Sequence, residues 1–563
     1  MSKQMKVPIN LLIAASLILL LACSCARQSS PMGGPQDEEP PQLLSSIPEH
    51  EATNIKPTEI QVVFDEFIKI ENPTKQIIIT PKIKTEEVEF TAIKSTINIK
   101  LNQELEDSTT YVFNFQKSVQ DITESNPADN LKLVFSTGNE IDSLKVSGQV
   151  RYVFKKNQKD IENVLVGLYP MTDTTDIFTA PPYYIAQTDS LGSFEITNIK
   201  AGEYRAYAWH DDNNSLKTEY RSEAYGFLPE PILVDKNVTN VHFNLFRGDL
   251  SELQVNRSSP VASNYDIILN KAPAEFEIFH PDKNEKLFYR INDKNIRLYH
   301  TDLRDDSTSV RLTVKDSVGF SIDTTFFAKF ETSEREVENL ETSANSGKGF
   351  VERLRSRLTF NKPVIDINYD SLYIRYDSAS RIPINPSHIS LVDSANLTEY
   401  QIEVEIPDSL AFDVFTVFAA DSTFKDVENQ WNSTELEANY SKIKEETLSE
   451  ELSGKVETTE FPIIIQLLNK NDEVIQESYL SESNEFKLVN MEAGDYKLRA
   501  IVDRNKNKRW DPGNILENRQ PEPIYYFYDS EEESDQVLLR GGWTLNGIVI
   551  NRNDDSGVLQ DEE

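Results

Sequence analysis

The feature that most constrains this chain is the rhythm of its apolar residues, which come in short alternating runs separated by turn residues. Ile60-Gln61-Val62-Val63-Phe64, Ile97-Asn98-Ile99-Lys100-Leu101, Tyr111-Val112-Phe113-Asn114-Phe115 and Leu131-Lys132-Leu133-Val134-Phe135 are examples, and similar runs recur throughout. Period two with β-branched and aromatic residues describes antiparallel strands that are buried on one face. The predicted fold class is therefore all-β. With 563 residues the chain exceeds what one core can serve, since domains hold roughly 100–150 residues each. Several β-sandwiches in tandem are expected.

An internal repeat divides the chain further. Phe194 to Ile232 aligns with Phe486 to Ile524 without a gap, matching Asn198/Asn490, Ala201-Gly202/Ala493-Gly494, Tyr204/Tyr496, Asp211/Asp503, Asn213/Asn505 and Pro229-Glu230-Pro231-Ile232/Pro521-Glu522-Pro523-Ile524. Two copies of one module are expected, at 143–247 and 440–551. Gly192 and Gly202 suit positions that need a positive φ or a close backbone. Residues 42–138 form a separate sandwich of the usual Ig-like size. Residues 250–333 and 350–439 read as two further Ig-like sandwiches, and the second opens with Leu358-Thr359-Phe360-Asn361-Lys362-Pro363-Val364, an echo of Ile60 to Phe64. Between them 334–349 is charged and carries Ser, Asn and Gly, as a linker would. The acidic end, 552–563, is expected to be disordered.

The amino terminus reads as an address. Lys3 and Lys6 precede an uncharged run whose greasiest part, Leu11 to Leu21, is too short to cross a bilayer, so residues 1–24 read as a signal peptide. The chain has two cysteines, Cys23 and Cys25, and neither a disulfide framework nor a zinc ribbon can be built from them. Leu20-Leu21-Ala22-Cys23 and Ala22-Cys23-Ser24-Cys25 both resemble the lipobox of bacterial lipoproteins. That resemblance implies acylation of Cys25 or Cys23: Cys23 has the better residue three places upstream, and Cys25 fits the text that follows. Residues 25–41, rich in Pro, Gly and acid, read as a solvated stalk.

The resemblance then becomes more specific. Cys25-Ala26, Pro31-Met32-Gly33-Gly34-Pro35-Gln36-Asp37 and Pro40-Pro41, followed by Phe64-Asp65-Glu66, Ser108-Thr109-Thr110-Tyr111 and Phe135-Ser136-Thr137-Gly138, resemble Bacteroidota lipoproteins with an SbsA-type bacterial Ig-like domain. Residues 143–247, through Thr188-Asp189-Ser190-Leu191-Gly192-Ser193-Phe194 and Ala201-Gly202-Glu203-Tyr204, resemble the transthyretin-like module called carboxypeptidase regulatory-like, which carries no peptidase chemistry. The resemblance implies an outer-membrane lipoprotein held to the membrane by its N-terminal lipid, on either the periplasmic or the surface face.

Motifs for chemistry are few. There is no Gly-x-Ser-x-Gly elbow, phosphate loop or His-Glu-x-x-His, and the six histidines are scattered singly along the chain. With 57 basic against 93 acidic residues the net charge is −36, which disfavours nucleic acid and favours a divalent cation. Asp503, Asn505, Asn507 and Asp511 fall at the first, third, fifth and ninth positions of a calcium-type loop, and Asp211 and Asn213 form a degenerate counterpart. Lys508 stands where such loops need Gly, Asn514 where they need Glu, and Arg504, Lys506, Lys508 and Arg509 crowd the segment. Calcium binding here is expected to be weak, and the simpler reading is a hairpin loop held by Asx turns over Trp510. Trp209, Trp431, Trp510, Trp543, Tyr183-Tyr184 and Tyr525-Tyr526 are the candidates for stacking on sugar rings. The expectation is a non-catalytic, lipid-anchored envelope protein, a scaffold for protein or glycan contact with no cofactor beyond weak calcium. The alternative is a carbohydrate-active or proteolytic surface enzyme with an unrecognised site.

Overall fold

The computed structural model describes residues 38–128, 131–393, 396–553 and 557–558. Cys23, Cys25, the signal peptide and most of the stalk lie outside the described residues. The chain divides into two compact units, 1–141 and 142–563. It is all-β, with tandem Ig-like β-sandwich domains.

Module 1 (residues 42–138) fills the first unit. Its first sheet runs in the order Leu43–Ile47, Glu59–Phe64, Thr96–Leu101, Val88–Ile93, and its second Ile78–Thr80, Thr110–Asn114, Lys132–Ser136. A ribbon of Ile68–Ile70 with Val119–Asp121 closes one end. Alternation sets the faces: Ile60, Val62 and Phe64 point inward against Ile97, Ile99 and Leu101, while Glu59 and Gln61 face water. From the second sheet Tyr111 and Phe113 stack on Phe135 with centroids 5.8 and 5.9 Å away.

The second unit repeats this strand order. In module 4 the first sheet is Thr342–Ala344, Arg353–Phe360, Asn396–Glu405, Ile389–Asp393; the second holds Leu372–Arg375, Val414–Ala419 and Leu436–Lys442, and Val364–Ile367 pairs with Phe424–Asp426 as the ribbon. Module 3 has Val255–Val261, Asn264–Leu269, Asn295–His300, Leu287–Asn292 over Glu275–Phe279, Arg304–Lys315, Ser321–Phe330, without the ribbon. Thr342–Ala344 falls inside the stretch read as a linker. An edge strand needs few apolar anchors, here Leu340 and Ala344 against the core of module 4, so its composition resembles that of a loop.

Modules 2 and 5 share a different sandwich. Leu144–Tyr152 pairs antiparallel with Ser193–Ile199 and parallel with Val238–Leu245; Leu448–Val456 does the same with Glu485–Glu492 and Thr544–Asn553. Leu165–Pro170 lies between Tyr184–Gln187 and Gly202–Trp209, as Ile463–Leu468 lies between Val474–Leu480 and Gly494–Val502. The parallel pairing explains a glycine in each copy: a Cβ on Gly148 would sit 1.8 Å from the Val241 carbonyl oxygen, and one on Gly454 2.0 Å from that of Ile548. The shared Asn198 and Asn490 take φ of 59° and 58°, which asparagine tolerates better than most residues. Gly192 has the expected positive φ, whereas Gly202 has neither that nor a close backbone and meets only the Tyr204 ring.

The gapless alignment of the repeat fails beyond the loop that follows Trp209 and Val502. Tyr207 pairs with Phe227 and Trp209 with Tyr225, whereas the equivalent Arg499 pairs with Tyr526 and Ile501 with Ile524. Tyr225–Phe227 therefore corresponds to Ile524–Phe527, at an offset of 299 in place of 292, and the loop of module 5 is seven residues longer. Ile232–Val234, read as the partner of Ile524, corresponds to Val537–Leu539, since both pair with the start of the preceding long strand. The shared Pro-Glu-Pro-Ile text is not a structural match. At the acidic end, the last long strand runs through Asn553, and Gly557–Val558 pairs with Val241 and His242. Part of the stretch expected to be disordered is thus built into sheets.

Candidate functional site

The re-registered loops hold the polar cluster that the sequence singles out. Asp503 is fully buried at the end of Gly494–Val502. Its two carboxylate oxygens accept N–H bonds from Asn507 at 3.0 Å and Lys508 at 2.9 Å. Asn505 Oδ1 accepts from the Asn507 N–H and Asn507 Oδ1 from the Arg509 N–H, so each is an Asx turn. Both carboxamides donate to Asp511 Oδ2, Asn505 at 2.5 Å and Asn507 alongside it. The structure thus brings Asp503, Asn505, Asn507 and Asp511 into one loop. A cation among them would need both amides turned over to present oxygen. Lys508, at the position where glycine is wanted, adopts φ 63°, and its counterpart Leu216 φ 57°. Among the described residues no three His, Cys, Asp or Glu side chains gather as a metal set.

Beneath each loop sits a buried glutamate that the alignment conceals. Glu522 accepts N–H bonds from Arg504 at 2.8 Å and Asp511 at 2.9 Å; Glu223 accepts them from Asp212 at 2.9 Å and Glu219 at 2.8 Å. Each stands two residues before its strand, so they are equivalent positions. Sequence comparison pairs Glu522 with Glu230 instead, because it cannot see the longer loop. Burial, with Asp511 and Asp503 adding repulsion, pushes Glu522 up to about 7 despite its two N–H bonds, and burial likewise raises Glu223. The first-copy loop repeats the geometry: Asp211 accepts from Ser215 and Leu216, and Asn213 bonds Glu219.

The longer loop of module 5 also clamps its neighbours. Arg509 donates to the Ala274 carbonyl, Asn514 and Arg519 donate to that of Val318, and all three bonds reach module 3. Asn518 and Gln520 donate to Pro229 and Phe227 of module 2. Trp510 stands edge-on to Phe154 at 4.7 Å and donates to the Glu522 carbonyl. It thus links the segment before Ile524–Phe527 to module 2.

Other candidates scatter. Trp209, Tyr184 and Tyr525 are buried in cores. Trp431 and Trp543 are exposed, beneath Lys425 and Arg540 respectively. The histidines are not all single: His280 and His300 lie with ring centroids 6.1 Å apart, and His300 Nε2 is 3.6 Å from Asp282. The stacking of the two sheets of module 3 brings them together across twenty residues of sequence, since His280 follows Glu275–Phe279 of one sheet and His300 ends Asn295–His300 of the other. Each Nδ1 accepts the N–H two residues on, from Asp282 and Asp302, which ties both rings to their turns.

A buried acid recurs in the Ig-like modules at the end of one strand: Asp121, Asp316 and Asp426. Each closes a turn by accepting N–H bonds, from Glu124, Ser125 and Asn126 in the first case, from Val318, Gly319 and Phe320 in the second, and from Glu428 and Gln430 in the third. Modules 3 and 4 add a lysine from the text just after another strand, Asn270-Lys271 and Asn361-Lys362. Lys271 pairs with Asp316, and Lys362 with Asp426 at 2.6 Å. In module 1 the same place reads Asp65-Glu66, and there Asp121 takes N–H donors and the Thr123 hydroxyl.

Residues 37–137 match the family model described as bacterial Ig-like domain, and residues 162–217 match polysaccharide lyase family 4, domain II. No curated protein matches the sequence. Among solved structures, the Bacillus anthracis TIE protein is similar at 9% identity, over 97% of this chain and 79% of that one, with a TM-score of 0.12. Bacteroides ovatus SGBP-B of the mixed-linkage glucan utilization locus, in complex with mixed-linkage heptasaccharide, is similar at 11% identity over 59% and 82%, with a TM-score of 0.16. The T6 backbone pilin of serotype M6 Streptococcus pyogenes follows at 8% over 63% and 76%, with a TM-score of 0.12. At these TM-scores the likenesses carry no argument.

Proposed function

We propose that this chain is a non-catalytic, lipid-anchored protein of the bacterial outer membrane, whose Ig-like and transthyretin-like modules form a scaffold for contact with glycan or protein. One observation carries the non-catalytic reading. All eleven buried Asp, Glu, Lys and His side chains of the described residues are committed to the architecture. Asp121, Glu223, Asp503 and Glu522 accept backbone N–H bonds, Asp511 takes two asparagine amides, and Asp266 is held by Arg297. Lys271 with Asp316 and Lys362 with Asp426 are paired, and His300 accepts the Asp302 N–H. An enzyme keeps at least one such group turned toward its substrate. The resemblance of residues 162–217 to part of a polysaccharide lyase favours glycan as the contact. Weak calcium binding at Asp503, Asn505, Asn507 and Asp511 belongs to the same reading, as a brace for the loop that clamps modules 2 and 3.

Two experiments test it. Turnover of any member of a polysaccharide and peptide panel by the whole chain would overturn the non-catalytic reading. Labelled palmitate should enter the wild type and be absent from a Cys23→Ala, Cys25→Ala double variant; label persisting in the variant would remove the anchor.

A further inference from the structure

Modules 2 and 5 enclose a cleft of about 750 Å³, within the range of small-molecule sites, roughly 300–1,000 Å³. Its composition runs against that of the chain. On a body of net charge −36 five cations meet there: Arg151, Lys155 and Lys156 from module 2, Lys497 and Arg504 from module 5. Three acids share the lining, Asp472, Glu522 and Asp535, and their roles are visible. Glu522 is turned to the Arg504 and Asp511 N–H groups. Asp472 holds Lys497 at 3.2 Å, and Asp535 stands 3.9 Å from Lys155, whose ammonium also lies over the Tyr526 ring at 4.7 Å. Arg504 is braced from outside the lining by two bonds to Glu460, at 2.7 and 2.9 Å. Lys155, Lys497 and Arg504 are therefore oriented before any ligand arrives, and such preorganisation favours binding.

The uncharged wall is part aromatic and apolar, with Tyr152, Tyr526, Val153, Ile524, Pro521 and Pro523, and part amide. Gln149, Gln158, Asn244 and Gln520 both donate and accept, which suits a ligand carrying many hydroxyl groups. A long polyanion would have to approach an acidic body, so a short ligand with a few carboxylates is favoured over nucleic acid or polyphosphate. The two walls come from opposite ends of the second unit and are fixed to each other by the Tyr526 hydroxyl on the Val153 carbonyl and by Trp510 on Phe154.

We propose that this cleft binds a short carboxylate-bearing oligosaccharide of the uronic-acid class. The proposal rests on the contact reading above and can fail without it, because turnover and acylation are measured separately. The test is calorimetric titration of the whole chain with tri-galacturonate and with the neutral galactose trimer at low ionic strength. Tri-galacturonate should bind, and the neutral sugar should not. Binding should weaken as salt is raised, and a Lys155→Gln, Lys497→Gln double variant should bind at least about tenfold more weakly. Lys286→Gln, in module 3 beside Asp302, should leave it unchanged. Should the double variant melt early, the exposed Lys156→Gln decides, with a several-fold loss expected at unchanged melting temperature. Equal binding of both sugars, no binding of the acidic one, or undiminished binding by the lysine variants would overturn the proposal.

Discussion

Replacing Lys362 by methionine tests a fully buried charge. Lys362 and Asp426 have no side-chain exposure, Nζ lies 2.6 Å from Asp426 Oδ2 and 3.0 Å from Glu428 Oε2, and Glu428 is 14% exposed. Methionine keeps the aliphatic stem and removes the cation, leaving two carboxylates side by side without a counter-charge. Breaking a buried pair in this way costs about 3–5 kcal/mol. Part of the burden is relieved because Asp426 Oδ1 retains the N–H bonds of Glu428 and Gln430. The chain has several cores, so a single unfolding curve would blend them. Hydrogen exchange read on peptides covering Arg353–Phe360 and Val414–Ala419 isolates module 4, and the cost corresponds to exchange on the order of a hundred- to several-thousand-fold faster. A second variant separates charge from packing: Lys362→Met with Asp426→Asn and Glu428→Gln keeps oxygen acceptors at both acids and removes every charge. It should recover at least half the loss. A change below about 1 kcal/mol in the single variant, or a combined variant no more stable than it, would refute the charge argument. The contact between Asn264 Nδ2 and Glu428 Oε1 at 2.9 Å predicts that exchange in module 3 also rises near Asn264–Leu269.

Asp121 gives a pH test. Burial acts to raise its pKa, but the N–H bonds of Glu124, Ser125 and Asn126 and the Thr123 hydroxyl outweigh it, and the net shift is downward. A folded value below the unfolded one means stability that is present above the ordinary carboxylate range and lost as pH falls through the folded pKa. Asp121→Ala should cost about 1–3 kcal/mol at pH 7 and flatten the acid limb of exchange in Thr110–Asn114; an unchanged acid limb would contradict it. Gly148→Ala and Gly454→Ala should each cost about 1–3 kcal/mol or more through the clash with a partner carbonyl, while Gly202→Ala should be nearly silent; equal melting temperatures for all three would be the contrary result. Calcium at millimolar concentration should raise the melting temperature of the whole chain more than magnesium does, by mass action, and Asp503→Ala should abolish the difference; equal shifts from the two ions would end the calcium reading.

The fold was largely legible because its signal is local. Period-two alternation can be read in a window of five residues, and it marks strands such as Glu59–Phe64 and Thr96–Leu101 wherever one face is buried. Thr342–Ala344 escaped because an edge strand buries too little to show the pattern. The polar loop was legible for a related reason: Asp503, Asn505, Asn507 and Asp511 belong to one loop, so their spacing in sequence is nearly their arrangement in space. The paired lysines left a trace as well, in Asn270-Lys271 and Asn361-Lys362 at matching strand ends, yet nothing nearby in the text names their partners, which lie 45 and 64 residues further on at Asp316 and Asp426.

By itself, then, the sequence determined the strand content, the sandwich size of the modules and the existence of two copies of one of them, since each follows from periodicity or identity along a continuous stretch. Tertiary structure decided whatever depends on which stretches meet. It set the register of the repeat beyond its longer loop, where pairing with a central strand overrides a run of matching letters, and so made Glu223 the counterpart of Glu522. It brought His280 beside His300 from the two sheets of module 3. It also gathered cations from residues 151–156 and 497–504 into one cleft on an acidic body. Burial and long-range pairing depend on the distance between strands in space, and no local window of a sequence records that distance.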